Sequence, residues 1–213
     1  VLGGYWNHVP VSISASGTRL AAETSSGHVG VWQLDDQRRG QPFFVHAYTV
    51  QDLWWGENEQ SITTCTIVGT ISVHDLSSSD PSRNQLTAFE RNVTKEVEAD
   101  LSPNRNWLAM AGRNSTSVWI YDMADGRVLQ ELTGKGDQPQ KLAFSNRGDR
   151  LAVSYADGTL AIWSTKTWQI EQTLSTQEPL TRTMAWSPDD HAIAGSLKKG
   201  YIIYLDSERV VSD

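Results

Sequence analysis

An all-β fold built from five repeated, four-stranded antiparallel sheets is predicted by three observations on this 213-residue sequence. A turn signal followed by an apolar strand recurs at a near-constant interval. A second signal, usually aromatic, follows each turn at a matching distance. No segment combines a helical apolar period with helix caps.

Four copies of the turn signal align directly. They are Ile13–Ala21 (ISASGTRLA), Leu101–Ala109 (LSPNRNWLA), Phe144–Ala152 (FSNRGDRLA) and Trp186–Ala194 (WSPDDHAIA). A degenerate copy, Trp55–Thr63 (WGENEQSIT), fills the gap. Ser14, Gly56, Ser102, Ser145 and Ser187 then stand 42, 46, 43 and 42 residues apart. A period near 40 residues is the mark of a repeat architecture. The second signal lies 17 to 19 residues further on, as Val31-Trp32, Val73-His74-Asp75, Ile120-Tyr121-Asp122, Ile162-Trp163 and Ile203-Tyr204.

The fourth unit shows how each element arises. Gln140–Phe144 alternates as a first strand and Ser145–Asp149 is a cluster of turn formers. Leu151–Tyr155 and Thr159–Trp163 flank Asp157-Gly158 as a hairpin. Ser164–Thr167 turns the chain into Gln169–Leu174, and the third unit ends likewise in Ala124-Asp125-Gly126 before Val128–Leu132. One such sheet cannot bury both faces alone, and radial stacking of sheets solves that problem. The expected architecture is a β-propeller in one region, 1–213. Its repeats run approximately 8–46, 47–90, 91–134, 135–176 and 177–213. Trp32, Tyr121, Trp163 and Tyr204 are expected to fill the space between blades. Ile13, Trp55, Leu101, Phe144 and Trp186 share the position before the turn and are expected to pack one layer.

Trp186-Ser187-Pro188-Asp189-Asp190 and Ile120-Tyr121-Asp122 resemble the Phe-Ser-Pro-Asp-Gly turn and Trp-Asp strand end of the WD-repeat (WD40-like) family. The resemblance covers nearly the whole chain. It implies a circular propeller, usually of seven blades, that serves as a rigid platform for proteins, peptides or sometimes nucleic acid. The repeats are degenerate: the family's Gly-His dipeptide is missing, and only His46 stands where its His would be. The family's buried Asp–His–Ser/Thr–Trp network is therefore not expected in any unit. Five units make either a five-bladed ring or part of a larger one. An open arrangement would expose apolar blade faces, needing further blades, another protein or a second copy to cover them.

Composition narrows the function. The 25 acidic and 18 basic residues give a net charge of −7, against general nucleic-acid affinity. No apolar run reaches the roughly 20 residues of a membrane span. Cys65 is the one cysteine, which excludes an internal disulfide and a cysteine zinc cluster. A first residue other than Met points to a module of a larger polypeptide, and no secretory leader is visible, so a cytoplasmic setting is expected.

No catalytic residue, metal site or cofactor is expected. The five histidines are spread along the chain without ligand spacing, and no phosphate loop or nucleophile elbow is present. The expected activity is a non-catalytic protein–protein interaction scaffold or sensor module with a protein or peptide partner. The loops entering the inner strands carry His46, Tyr48 and Arg182. Trp54 is large where its counterparts Ser12, Asp100, Ala143 and Ala185 are small or polar, and Trp119 stands where the fourth unit has Ala161. Aromatic and Arg residues anchor interfaces, so these five are the candidate contacts. The alternative is a five-bladed glycan-binding or glycoside-hydrolysing propeller that uses the funnel carboxylates Asp52, Glu98 and Asp100.

Overall fold

The computed structural model describes residues 10–25, 28–34, 41–44, 49–77, 85–90, 97–112, 114–134, 137–176, 178–197 and 202–206. All the secondary structure in them is β. Blade 1 comprises β1 (Val11–Ile13), β2 (Arg19–Ser25), β3 (His28–Gln33) and β4 (Gln41–Phe44). Blade 2 comprises β5 (Val50–Trp55), β6 (Ser61–Thr66), β7 (Thr70–Asp75) and β8 (Gln85–Glu90). Blade 3 follows with β9 (Val97–Leu101), β10 (Trp107–Gly112), β11 (Ser117–Asp122) and β12 (Val128–Thr133). Blade 4 has β13 (Pro139–Phe144), β14 (Arg150–Tyr155), β15 (Thr159–Ser164) and β16 (Ile170–Ser175). Blade 5 contributes β17 (Leu180–Trp186), β18 (Ala192–Leu197) and β19 (Ile202–Asp206). Every sheet is an antiparallel meander in chain order. The chain divides into two compact units, 1–97 with blades 1 and 2, and 98–213 with the rest.

The turn between the first two strands has one geometry in all five blades. Its first residue and the residue five positions on are bridged by backbone N–H donation, as in Ser145 N to Arg150 O at 2.9 Å and Ser187 N to Ala192 O at 2.8 Å. In blades 1, 3, 4 and 5 the serine Oγ also accepts from that second residue's N–H. The fourth turn residue is left-handed every time: Gly17 (φ 71°), Glu59 (57°), Arg105 (61°), Gly148 (73°) and Asp190 (62°). Only two of these are glycine, although L side chains resist this region. At Glu59 and Asp190 the side chain has a use that glycine cannot supply, described below.

The recurring Leu-Ala pair has a packing reason. In blade 4, Leu151 and Ala152 point to opposite faces, and each joins a different apolar cluster. Leu151 packs with Leu142, Phe144, Val153 and Trp163 against Ala109, Val118 and Ile120 of blade 3. Ala152 packs with Ala143 and Ile162 against Trp186 and Ile193 of blade 5. A small residue on the second face lets the next sheet approach. In the other unit, Ala21 and Val29 receive Leu53, Trp55 and Ile62 in the same way. We call the face toward the preceding blade leading and the other trailing, and carry the terms by register to every blade.

Two packing expectations need correction. Leu205, not Tyr204, pairs with Ile193 in the register where Trp163 pairs with Leu151, and Tyr204 pairs with Ala194. The fifth aromatic landmark is thus one residue out of phase. Ile13 is 58% exposed, whereas Trp55, Leu101, Phe144 and Trp186 are at most 9% exposed. Its blade has nothing among the described residues on the leading face.

Of the buried network that the resemblance implies, fragments are present among the described residues. In blade 2, Thr64 Oγ1 and His74 Nε2 lie 3.3 Å apart, both buried, so a two-member polar pair exists where none was expected. In blade 4, Val153 takes the threonine's position, and the Trp163 Nε1–H and Tyr155 hydroxyl are buried without a hydrogen-bond partner. Burial pushes the Tyr155 hydroxyl up to about 12, opposed by the nearby Trp163 indole and reinforced by Asp157. Tyr155→Phe therefore removes an unsatisfied polar atom and keeps the ring. We expect stability unchanged or raised by up to about 1 kcal/mol in a denaturant titration. A loss above about 1 kcal/mol would mean that the hydroxyl has a partner.

Candidate functional site

The surfaces available for function are set by how blades join. Blades 1 and 2, and separately blades 4 and 5, share one joint at equivalent residues. The tryptophan before the turn donates its indole N–H to a carbonyl of the preceding blade: Trp55 to Ser12 O at 3.1 Å, Trp186 to Ala143 O at 3.0 Å. An arginine of the preceding blade lies over that ring, Arg19 at 4.9 Å and Arg150 at 4.8 Å from the centroid. The same guanidinium donates to the backbone oxygen of the left-handed acid, Glu59 or Asp190, at 2.6 Å.

That acid then caps the preceding blade's turn. Glu59 accepts from Ser16 N at 2.6 Å and Ser16 Oγ at 3.0 Å. Asp190 accepts from Asn146 N (2.7 Å), Asn146 Nδ2 (2.6 Å) and Arg147 N (2.9 Å). The Ser16 backbone N–H holds the Glu59 carboxyl below its usual range; partial burial opposes this, and the Ser16 and Ser14 hydroxyls and Arg19 add to it. For Asp190, burial alone would raise the pKa. The N–H groups of Asn146 and Arg147, the Asn146 amide and the Arg150 guanidinium outweigh it, and the pKa is lowered. A last contact fixes the start of the inner strand, where Val50 N donates to Glu23 Oε1 (3.0 Å) and Leu180 N to Ser154 Oγ (3.1 Å).

Blades 3 and 4 join differently. Pro139 replaces the donor at the strand start and Ala111 replaces the acceptor, so neither group is left unmade. Phe144 replaces the tryptophan and Gly148 the acid, with a Cβ at Gly148 only 3.3 Å from Pro103 Cδ. Two carboxylates complete this joint. Asp100 accepts from Phe144 N at 2.6 Å and Leu101 N at 2.9 Å, while Glu98 pairs with Lys141 Nζ at 2.5 Å. Glu98 and Asp100 therefore tie blades together, rather than standing as a free catalytic pair.

The candidate contacts fall in different places. Trp54, half-buried, lies on the trailing face of blade 2, where it pairs with Thr63. Trp119, also half-buried, lies on the leading face of blade 3 between Met110 and Glu131. Both are sheet-face residues, not loop residues. Arg182, expected in a loop, lies instead within β17, inside the irregular stretch between Leu180 and Met184. His46 and Tyr48 lie outside the described residues. Among the described residues no group of three His, Cys, Asp or Glu side chains is placed to hold a metal ion. Among the described residues no helix is long and apolar enough to cross a membrane.

Comparison with known proteins agrees with this geometry. Residues 99–186, which cover the blade 3–blade 4 joint and run to Trp186, match the family model of the anaphase-promoting complex subunit 4 WD40 domain. The matched blades are similar to WD repeats. Protein HIR1 of Cryptococcus neoformans is 25% identical over 87% of this chain and 24% of that protein. The small ribosomal subunit protein RACK1 of Drosophila melanogaster is 39% identical over 29% of this chain and 22% of its own length. A WD repeat-containing protein 89 homolog of Dictyostelium discoideum is 37% identical over 37% of this chain and 21% of its own. The chain thus spans about a quarter of the length of these curated relatives. Sequence reasoning missed the joint acids Glu59 and Asp190. The signal available was their place at the turn position that Gly17 and Gly148 occupy in other copies.

Proposed function

We propose that the chain is a non-catalytic scaffold that binds a protein or peptide, as a cytoplasmic module of a larger polypeptide. The observation that supports this reading is the repeated joint. Each described blade-to-blade contact couples apolar packing to several directed hydrogen bonds, which makes a stiff frame for displaying loops. Stiff frames lose little entropy when they bind. The assembly-related names of the relatives, a subunit of a complex and a ribosomal-subunit protein, point the same way. The glycan-active alternative loses its support because Glu98 and Asp100 are engaged in the joint between blades 3 and 4.

Trp54 and Arg182 are the contacts proposed to carry most of the binding, with His46, Tyr48 and Trp119 beside them. Affinity capture with the wild-type chain as bait identifies the partner. We then expect Trp54→Ala and Arg182→Ala each to weaken its capture about tenfold or more, the scale of an interface anchor, with the melting temperature held. Matching losses of melting temperature and capture would assign both residues to packing and withdraw them as contacts.

A further inference from the structure

The turns between the third and fourth strands of blades 3 and 4 are built alike and filled differently. In blade 3, Asp122 N donates to Arg127 O and Gly126 N to Asp122 O; in blade 4, Ser164 N donates to Gln169 O and Trp168 N to Ser164 O. Gly126 (φ 71°) and Trp168 (φ 53°) thus hold one position, and both are left-handed. Glycine adopts that conformation freely, whereas a bulky side chain there is strained. Strain of this kind collects at ligand clamps and switches, where the surroundings hold it in place. What Trp168 gains is a place against Trp107, with 5.6 Å between ring centroids and 68° between planes. Trp107 itself stands where blades 1 and 4 carry Arg19 and Arg150. Both rings rest on the apolar cluster shared by blades 3 and 4, and both are only half-buried. Neither indole N–H forms a hydrogen bond among the described residues. The corner lies between consecutive blades of the 98–213 unit, so both of its walls are in place.

The charge beside this corner is left positive. Thr165 donates to Gly148 O through its hydroxyl (2.8 Å) and to Asp149 O through its N–H (2.9 Å), which brings two turns of blade 4 together. Those turns carry Arg147 and Lys166, both exposed and both without an ion pair among the described residues. The neighbouring carboxylates are already matched, Asp149 with Arg150, and Asp122 and Asp125 with Arg127.

We infer that this corner docks an acidic peptide segment bearing an aromatic side chain. The ring packs on Trp107 and Trp168, and the flanking carboxylates meet Arg147, Lys166 and the indole N–H groups. Tryptophan and arginine are enriched among the residues that carry binding energy, and aromatic rings favour edge-on or offset contact with one another. A single strand of nucleic acid also stacks on aromatic rings, but it needs a basic track along its backbone. Two unpaired cations among matched carboxylates, on a chain of net charge −7, favour the peptide. The surface contains neither Trp54 nor Arg182, so it stands or falls apart from the contacts proposed above.

Fluorescence anisotropy of a labelled peptide, one phenylalanine with a run of glutamates on each side, tests it on the full chain. The wild type should bind this peptide about tenfold or more tightly than versions with lysine for glutamate or alanine for phenylalanine. Binding should weaken severalfold as salt is raised from about 0.05 to about 0.5 M, because screening shortens the reach of Arg147 and Lys166. Trp168→Gly should lose about tenfold in affinity or more. Its circular dichroism should match the wild type, because Gly126 closes the same turn in blade 3. Arg147→Gln combined with Lys166→Gln changes only exposed side chains, so it should lose a similar factor with the melting temperature held. A wild type that does not bind the peptide would overturn the inference. So would equal affinity for the control peptides, wild-type affinity in either variant, or tighter binding of a single-stranded oligonucleotide of equal length.

Discussion

Trp186→Ala is expected to destabilise the 98–213 unit by about 3–5 kcal/mol, the range for truncating a buried tryptophan. Three losses coincide at this residue. The indole is 9% exposed and packs with Ala143, Ala152 and Ile193, so its removal leaves a cavity between blades 4 and 5. The Ala143 carbonyl loses its donor. The Arg150 guanidinium loses the ring beneath it, a contact worth about 0.5–2 kcal/mol depending on solvent exposure. Trp186→Phe separates these contributions, because it keeps an aromatic face but has no N–H. It should cost about 1–2 kcal/mol, the sum of a smaller ring and an unpaired carbonyl. Ile13→Ala gives the contrast at the equivalent position of blade 1, where exposure makes the change close to neutral, within about 0.5 kcal/mol. Denaturant titration followed by circular dichroism measures all three. A loss below about 1 kcal/mol for Trp186→Ala would remove this tryptophan as the wedge between the blades.

What could be read in advance from the residues follows from the distance over which each interaction acts. The turns were legible because Ser145, Gly148 and Asp149 lie within one turn of chain, and the sequence neighbours that shape them are adjacent. The strand alternation was legible for the same reason. The fifth landmark slipped because Ile202-Ile203-Tyr204-Leu205 offers apolar residues in both phases, and only pairing with Ile193 and Ala194 chooses between them. Glu59 and Asp190 were hidden because their partners, Ser16 and Asn146, stand 43 and 44 residues away. A left-handed acid looks like an imperfect glycine until the neighbouring blade is in place. The carboxylates Glu98 and Asp100 were seen, but as possible chemistry, since nothing local indicates that Lys141 and Phe144 N–H meet them. Trp54 and Trp119 stood out by size, and size alone does not distinguish a packing wedge from a contact. The family's polar network is likewise a set of positions in different strands, and Thr64 with His74 restores two of them with an unexpected residue type.

Asp190→Ala should cost about 2–4 kcal/mol and make the unit less sensitive to acid. The carboxylate receives three hydrogen bonds, and bonds to a charged acceptor are worth about 1.5–3 kcal/mol each when buried. The exposed turn around Asn146 readmits water to some of the freed donors, so the total is less than the sum. Asp190→Gly relieves the left-handed backbone, which favours glycine over alanine by about 1 kcal/mol. It should therefore be milder than Asp190→Ala by that amount, while still losing the cap. The sign of the pH effect follows from the lowered pKa of Asp190. Its folded-state pKa lies below the unfolded value, which is near the ordinary aspartate value of about 3.9. The carboxylate thus contributes its full stabilisation above the unfolded value and loses it as pH falls through the folded one. Glu59 acts with the same sign in the 1–97 unit. Stability of the wild type should fall more steeply than that of Asp190→Ala when the pH is lowered through the carboxylate range. Parallel pH profiles for the two would show that Asp190 titrates alike in the folded and unfolded chain, and the acid would then be no latch between blades 4 and 5.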